Sequence, residues 1–138
     1  MPLFTSNPPQ QCRWNSFNTT AELEQAATQA ILQADLKAAS LCGTFQSFWP
    51  AAQPHHVYAS LRNADADWAA WHVYFVVERC LPADHEERNS WMATKAWMNH
   101  VAIPLTHIHL IPAEKDLQAA ASAYAQTLAG IMKTKFFE

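Results

Sequence analysis

Three residues of types that often act in catalysis follow directly after one apolar run. The run spans residues 72–77 (HVYFVV), and Glu78, Arg79 and Cys80 come immediately after it. Such a run predicts a strand buried on both faces, as in the middle of a parallel sheet. Open α/β sheets bind ligands outside the carboxyl ends of their strands. We therefore predict that Glu78 serves as an acid or base and Arg79 as an anion clamp; the alternative is an ion pair that stabilises the loop.

The next turn adds two further candidates. Asp84 precedes His85, and a carboxylate beside an imidazole can orient it for proton transfer. The alternative is that Asp84 caps the following helix, because helix N-termini favour Asp. Cys80 is a nucleophile candidate, since a neighbouring guanidinium lowers a thiol pKa. Its alternative is an ordinary small apolar residue.

A pair of histidines suggests a metal, but the pattern is incomplete. His107 and His109 are two residues apart in a predicted strand, so they share one face. Zinc requires three or four convergent ligands, and no Cys or carboxylate is evidently aimed at this pair. We expect no metal and no cofactor.

Bulk properties limit the class of protein. The 138 residues predict one domain with a real core. The formal charge is −3, with both signs interspersed, so we expect no nucleic-acid partner. No apolar run approaches the length of about 20 residues that a membrane span requires. Three widely spaced cysteines and no evident secretory signal predict reduced thiols in the cytoplasm.

Strand and helix patterns alternate along the chain. Residues 1–11 predict a flexible arm, and Thr19 with Glu22 predicts a helix start through a capping box. Predicted strands lie at 12–17, 42–49, 72–77 and 106–111, and predicted helices begin at Thr19, Pro54, Glu86 and just after Asp116. This order predicts an α/β fold with a Rossmann-like, three-layer parallel sheet of about four strands, in a single domain over 12–138.

Residues 67–128, beginning DWAAWHVYFVVERCLPADHEERN, resemble the 6-phosphogluconolactonase family, which is related to the glucosamine-6-phosphate isomerases. The family pattern is D-E-R-x-V-P, D-H, S-N-Y, a helix, V-x-I-P and I-H-x-I. The matching positions, in order, are Glu78, Arg79, Pro82, Asp84, His85, Asn89, Ile103, Pro104, His109 and Ile111. Upstream, Pro54, Val57, Tyr58 and Leu61 match the family's G-G-S-T-P-x-x-V-Y-x-x-L. The resemblance implies a Rossmann-like sheet and an ancestral phosphosugar pocket.

The chain departs from the family pattern at three places. The family's G-G-S-T segment is replaced by residues 50–53 (PAAQ), which lack the glycines that let backbone N–H groups approach a phosphate. The Asp of D-E-R is Val77. The family's G-x-D-G-H segment, whose His acts as the general base, has no counterpart. We therefore expect a half-length, degenerate member without lactonase activity.

The site hypothesis combines these observations. Trp49 replaces a small residue just before the former phosphate loop, which favours a less polar, aromatic ligand. Glu78, Arg79 and His85 are the predicted catalytic residues for proton transfer, isomerisation or cyclisation; Trp49, Gln53, Cys80, Asp84 and Asn89 are the predicted substrate-binding residues. One alternative is a non-catalytic scaffold acting through an exposed sheet edge, and another is residual phosphosugar hydrolysis or isomerisation. A truncated sheet also predicts a homodimer or a larger protein partner.

Overall fold

The computed structural model describes residues 13–50 and 55–136, which form a three-stranded parallel sheet flanked by helices. The strands are β1 (Phe45–Trp49), β2 (Trp71–Phe75) and β3 (Ile108–His109), in the spatial order β1-β2-β3. The helices are α1 (Thr20–Cys42), α2 (His55–Arg62), α3 (Asn89–Ala96) and α4 (Leu117–Phe136). Single 3₁₀ turns lie at Trp68–Ala70, Met98–His100 and Leu105–His107. The predicted α/β class and parallel sheet are confirmed.

All four predicted strands differ in extent from the structure. β1 begins at Phe45, because Cys42 belongs to α1, and β2 ends at Phe75, so the prediction that the run to Val77 is buried on both faces is wrong for the exposed Val76 and Val77.

The other two predicted strands differ more. Within the described residues, 13–17 form no regular secondary structure, so the sheet has three strands rather than about four. This segment is exposed, with Trp14 93% accessible, so no burial stabilises a strand there. Cys12 and the rest of the predicted arm lie outside the described residues. β3 is shorter than the predicted 106–111, because Pro104 leads into a 3₁₀ turn that uses residues 105–107.

Helix α3 is also shorter than the predicted segment 86–101. It begins at Asn89, because the chain turns before it: His85 N–H donates to the Pro82 carbonyl and Arg88 N–H to the His85 carbonyl. It ends at Ala96, and a 3₁₀ turn follows. The helix therefore begins three residues later than the sequence pattern indicates.

Helix α1 begins with a variant of the predicted capping box, in which Glu22 reaches the N–H of Asn18, one residue before the N-cap Thr19. The Thr19 hydroxyl accepts a hydrogen bond from Glu22 N–H at 3.2 Å, and Glu22 Oε2 accepts one from Asn18 N–H at 3.0 Å. Gly43 ends the helix with a φ of 73°, a left-handed conformation that suits glycine. These local contacts set the two ends of α1, and β1 begins two residues after Gly43.

One face of the sheet carries the core. In-register pairing places Trp49 beside Phe75 and Ser47 beside Val73, so these residues share a face with Trp71. This face packs on α2 and α3 through a buried cluster that includes Tyr58, Leu61, Ala93 and Trp97. The Trp97 ring lies 5.0 Å from Trp49 and 5.7 Å from Trp71 between ring centroids. Aromatic packing therefore fixes both helices against the strands.

The opposite face carries a stack of rings. Tyr74 lies between Phe48 (4.9 Å) and His109 (4.4 Å), measured between ring centroids. His72 Nδ1 lies 3.3 Å from His109 Nε2, and the His107 ring stacks on His72 at 4.0 Å. Burial, and then the nearby His107, lower the pKa of His109. This arrangement holds the short β3 against β2.

A tyrosine of α4 forms hydrogen bonds with the last residue of β2. The Tyr124 hydroxyl donates to the Phe75 carbonyl at 2.8 Å and accepts from Phe75 N–H at 3.0 Å. β3 pairs with β2 only as far as Tyr74, so the side chain of α4 satisfies the backbone groups that β3 leaves unpaired. No helix within the described ranges has the length and apolar character needed to cross a membrane.

Candidate functional site

Glu78 lies at the N-terminus of α3. Its Oε1 accepts hydrogen bonds from Asn89 N–H at 2.7 Å and Arg79 N–H at 3.0 Å, and its Oε2 accepts one from Ser90 N–H at 2.9 Å. The residue that directly precedes the helix, Arg88, offers no side-chain cap. Glu78 therefore caps α3 although it lies eleven residues before the helix in the sequence. The free N–H groups and the dipole at the helix N-terminus favour a carboxylate there.

Arg88 is the buried basic partner of this carboxylate. Its side chain is 1% exposed, and its Nε lies 3.5 Å from Glu78 Oε2. Its Nη1 donates to the Leu81 carbonyl at 3.3 Å and to Glu114 Oε2 at 3.2 Å, and its Nη2 donates to the Ile111 carbonyl at 2.9 Å. A single guanidinium thus joins the end of β2, the start of α3 and the segment after β3.

Sequence analysis did not single out Arg88. One signal was available: a basic residue immediately before a helix opposes the helix dipole, unless a buried acid compensates for it. The sequence places Arg79 next to Glu78, whereas the fold brings Arg88 to it from ten positions along the chain.

The surroundings of Glu78 keep its carboxylate ionised. Burial by itself raises the pKa of Glu78, but hydrogen bonds from Ser90, and then from Arg79 and Asn89, outweigh burial and lower it below its usual value. A general acid or base works best with a pKa near the operating pH. The arrangement therefore suits a permanent anion better than a proton carrier.

The other two predicted catalytic side chains contact the turn around them. Arg79 Nη1 lies 3.4 Å from Glu87 Oε2, and both side chains are 59% exposed. His85 Nδ1 accepts a hydrogen bond from Glu87 N–H at 3.2 Å. Arg79 and His85 therefore both contact Glu87, whereas the Glu78 carboxylate binds backbone N–H groups and faces Arg88. Their catalytic roles stay predictions.

The predicted ligand-binding residues are divided between surface and core. Cys80 and Asp84 are exposed. Asn89 is buried, and its Nδ2 donates to the Val77 carbonyl at 3.1 Å, which links α3 to the end of β2. Gln53 lies outside the described residues.

Trp49 is buried in the core and also borders a groove. Its indole N–H donates to Ser47 Oγ at 3.1 Å. A groove of about 340 Å³ is lined by all five residues of β1, by Pro50, by Ala27 and Ile31 of α1, and by Val57 of α2. Consecutive strand residues point to opposite faces, so a space that touches every residue of β1 must run along its outer edge, where no other described strand pairs with it. We call it the edge groove.

The histidine cluster does not present a metal site. Within 13–50 and 55–136, no group of three or more His, Cys, Asp or Glu side chains is arranged to hold a metal ion. His107 Nδ1 instead lies 3.1 Å from the Trp71 carbonyl oxygen, while His72 and His109 bond to each other. These contacts explain the three histidines as structural residues of the sheet.

Comparison with known protein families identifies the family of this chain. The family described as Glucosamine-6-phosphate isomerases/6-phosphogluconolactonase matches residues 18–137, nearly the whole chain. The chain belongs to this family. The predicted resemblance to this family is thereby confirmed.

The proteins that match this chain are longer than it. The 6-phosphogluconolactonase of Mycobacterium leprae is 40% identical over 73 residues, 49% of this chain and 30% of that protein. The crystal structure of the 6-phosphogluconolactonase of Thermotoga maritima superposes with a TM-score of 0.73 and 16% identity, covering 78% of this chain and 50% of that one. A structure titled devB protein gives a TM-score of 0.75 and 22% identity, covering 83% and 49%. The chain thus spans about half the length of these solved structures.

Proposed function

We propose that this chain is a half-length member of the lactonase family that acts as a non-catalytic binding module. The observation that carries this proposal is the use of the Glu78 carboxylate, which caps α3 and faces Arg88. A reacting group must reach its substrate with a suitable pKa. Glu78 is enclosed, with a side-chain exposure of 0%, and its pKa lies below the usual value.

The edge groove supports a binding role. It is lined largely by apolar and aromatic side chains, including Phe45, Phe48 and Trp49. It lies at the edge of β1 that no strand in the described part of the chain pairs with, which suits a protein partner, because an open edge presents backbone donors and acceptors. We further propose that the protein works in the cytoplasm, since the exposed thiols of Cys42 and Cys80 suit a reducing compartment.

A second candidate function is the binding of a small aromatic molecule. The groove volume of about 340 Å³ falls within the range of small-ligand sites. Phe48 is 53% exposed and offers a ring for stacking. Glu78, Arg79 and His85 are not among the groove-lining residues, which favours binding over conversion.

The activity of the longer relatives provides the first test. The purified chain is assayed for hydrolysis of 6-phosphogluconolactone against the spontaneous rate, with Arg79→Ala as the variant. We expect no acceleration from either protein. Hydrolysis that exceeds the spontaneous rate, and that is lost in Arg79→Ala, would show a residual phosphosugar site and refute the proposal.

Ligand binding is tested separately by thermal shift. We expect 6-phosphogluconate to leave the melting temperature unchanged. Saturable stabilisation by an aromatic acid such as phenylacetate, lost in Phe48→Ala and retained in Leu105→Ala, would establish the second candidate. The two variants remove exposed apolar side chains at different places, since Phe48 lines the groove and Leu105 does not.

A further inference from the structure

The histidine cluster, formed by His72, His107 and His109, holds the short strand β3 against β2. We infer that this cluster is a pH-sensitive switch that releases β3 from the sheet in acid. His72 belongs to β2, His107 to the 3₁₀ turn before β3, and His109 to β3 itself. The inference concerns regulation and does not depend on the proposed binding role.

The contact between His72 and His109 limits how many protons the cluster can hold. His72 Nδ1 lies 3.3 Å from His109 Nε2, and in a hydrogen bond between two imidazoles one nitrogen donates and the other accepts. A neutral or singly protonated pair meets this requirement. When both rings are protonated, both nitrogens carry hydrogen, so the hydrogen bond is lost and two positive charges face each other.

His107 adds a second source of repulsion. Its ring stacks on His72 with 4.0 Å between centroids. Its Nδ1 lies 3.1 Å from the Trp71 carbonyl oxygen, which can only accept, so Nε2 is the nitrogen that takes up a proton in acid. Within the described residues His107 forms no ion pair that would neutralise this charge. Burial, and then His107, already lower the pKa of His109.

Two tyrosines pack around His109, and neither can compensate for a positive charge. Tyr74 of β2 stacks on His109 with 4.4 Å between centroids, and Tyr124 of α4 acts on Tyr74. Burial raises the pKa of both tyrosines, so both stay neutral in acid. On the other side of β2, Gln46 of β1 lies in register with His72 and is uncharged. In the described part of the chain no ion pair includes His109.

Strand β3 is the part of the sheet that such repulsion can release. It is two residues long and pairs with β2 only through Val73–Ile108 and Tyr74–His109. In contrast, β1 pairs with β2 at five positions. Because so few backbone contacts hold β3, it can open while the rest of the domain stays folded.

Release of β3 would change the candidate site. Arg88 Nη2 donates to the Ile111 carbonyl at 2.9 Å, and Nη1 donates to Glu114 Oε2 at 3.2 Å. Both acceptors follow β3 in the chain, so they move when β3 is released. Arg88 then keeps only the Leu81 carbonyl and the Glu78 carboxylate of these partners. The histidine cluster thus links the pH to the hold on the buried guanidinium.

Hydrogen exchange of the full chain, followed by mass spectrometry, tests the switch. A histidine that stays neutral while β3 is paired, and that titrates near pH 6.5 after release, favours release about 25-fold between pH 7 and pH 5. We therefore expect the protection factors of residues 105–114 to fall about 25-fold over that range. At pH 5 this segment should also exchange faster than α1, because release requires no unfolding of α1. Protection that does not change with pH, or that equals the protection of α1 at pH 5, would overturn the proposal.

A pair of variants assigns the change to the cluster. His109→Phe removes the titrating nitrogens and keeps a ring beside Tyr74, so most of the pH dependence should be lost. His100→Phe is the matched control, because His100 is exposed and its Nε2 lies near the Lys95 carbonyl oxygen. This control should keep the full change. A His109→Phe protein that keeps it, or a His100→Phe protein that loses it, would contradict the switch.

NMR titration of the wild type decides the question without any substitution. We expect the Ile108 and His109 amide signals to shift as His72 and His109 become doubly protonated, because β3 is released in that step. Double protonation with both amide signals unchanged would refute the switch. The outcome is separate from the lactonase assay, since lactonase activity would refute only the non-catalytic function.

Discussion

Truncation of Glu78 offers the sharpest test of how this site works. Glu78→Ala removes the acceptor of three backbone N–H groups and one partner of the buried Arg88. Breaking a buried ion pair costs about 3–5 kcal/mol, and the Leu81, Ile111 and Glu114 oxygens that still bind Arg88 place the cost at the lower end. We therefore expect a loss of roughly 3–4 kcal/mol in the free energy of unfolding.

Urea denaturation followed by tryptophan fluorescence measures this loss, since Trp71 and Trp97 are fully buried. For 138 residues, the loss corresponds to a fall of about 10–14 °C in the melting temperature. Glu87→Ala serves as the control, because its pair with Arg79 is 59% exposed on both sides and should contribute less than about 0.5 kcal/mol. A Glu78→Ala protein as stable as Glu87→Ala would refute the structural role of the carboxylate.

The same carboxylate gives a pH signature. Because the folded pKa of Glu78 lies below its usual value, its stabilising contribution is complete above the unfolded pKa of about 4.3. The contribution declines as the pH falls from there through the folded pKa. The difference in unfolding free energy between wild type and Glu78→Gln should therefore narrow in acid. A difference that stays constant at low pH would show that the carboxylate charge is not what stabilises the fold.

Three further perturbations test the scaffold around the site. Tyr124→Phe leaves the Phe75 N–H and carbonyl without their side-chain partner, so urea denaturation should show a loss of about 1–3 kcal/mol; an unchanged midpoint would disprove the anchoring of α4. The pKa of His109 is lowered in the folded protein. The unfolded state therefore binds more protons, and the free energy of unfolding should fall as the pH drops below about 6.5. His109→Phe should reduce this pH dependence, which thermal melts at a series of pH values measure. Thr19→Ala removes the α1 cap and should cost about 1 kcal/mol, whereas Thr127→Ala, an exposed change within a helix, should cost less.

Local patterns predicted much of the fold. The start of α1 at Thr19 follows from its capping box, and β1 and β2 follow from short apolar and aromatic runs. The two-residue β3 and the late start of α3 were not predicted correctly. Their bounds depend on turns near Pro104 and His85, and neither the strand pattern of residues 106–111 nor the helical pattern from Glu86 shows where those turns end.

The candidate site was also predicted only in part from the sequence. The sequence identified Glu78 as the central carboxylate but indicated Arg79 as its partner, because the two are adjacent. The structure leaves Arg79 in solvent beside Glu87 and places Arg88 against Glu78. Sequence adjacency after a strand sends neighbouring side chains in different directions.

The sequence by itself determined the α/β class, the first helix, the two longer strands and the family, because these depend on residue periodicity, capping and a local motif. Only the tertiary structure decided that Glu78 caps α3, that Tyr124 bonds to the end of β2 and that a groove runs along β1. The Phe75–Tyr124 contact joins residues 49 positions apart. Such contacts depend on how whole elements pack, and no pattern within one element encodes that arrangement.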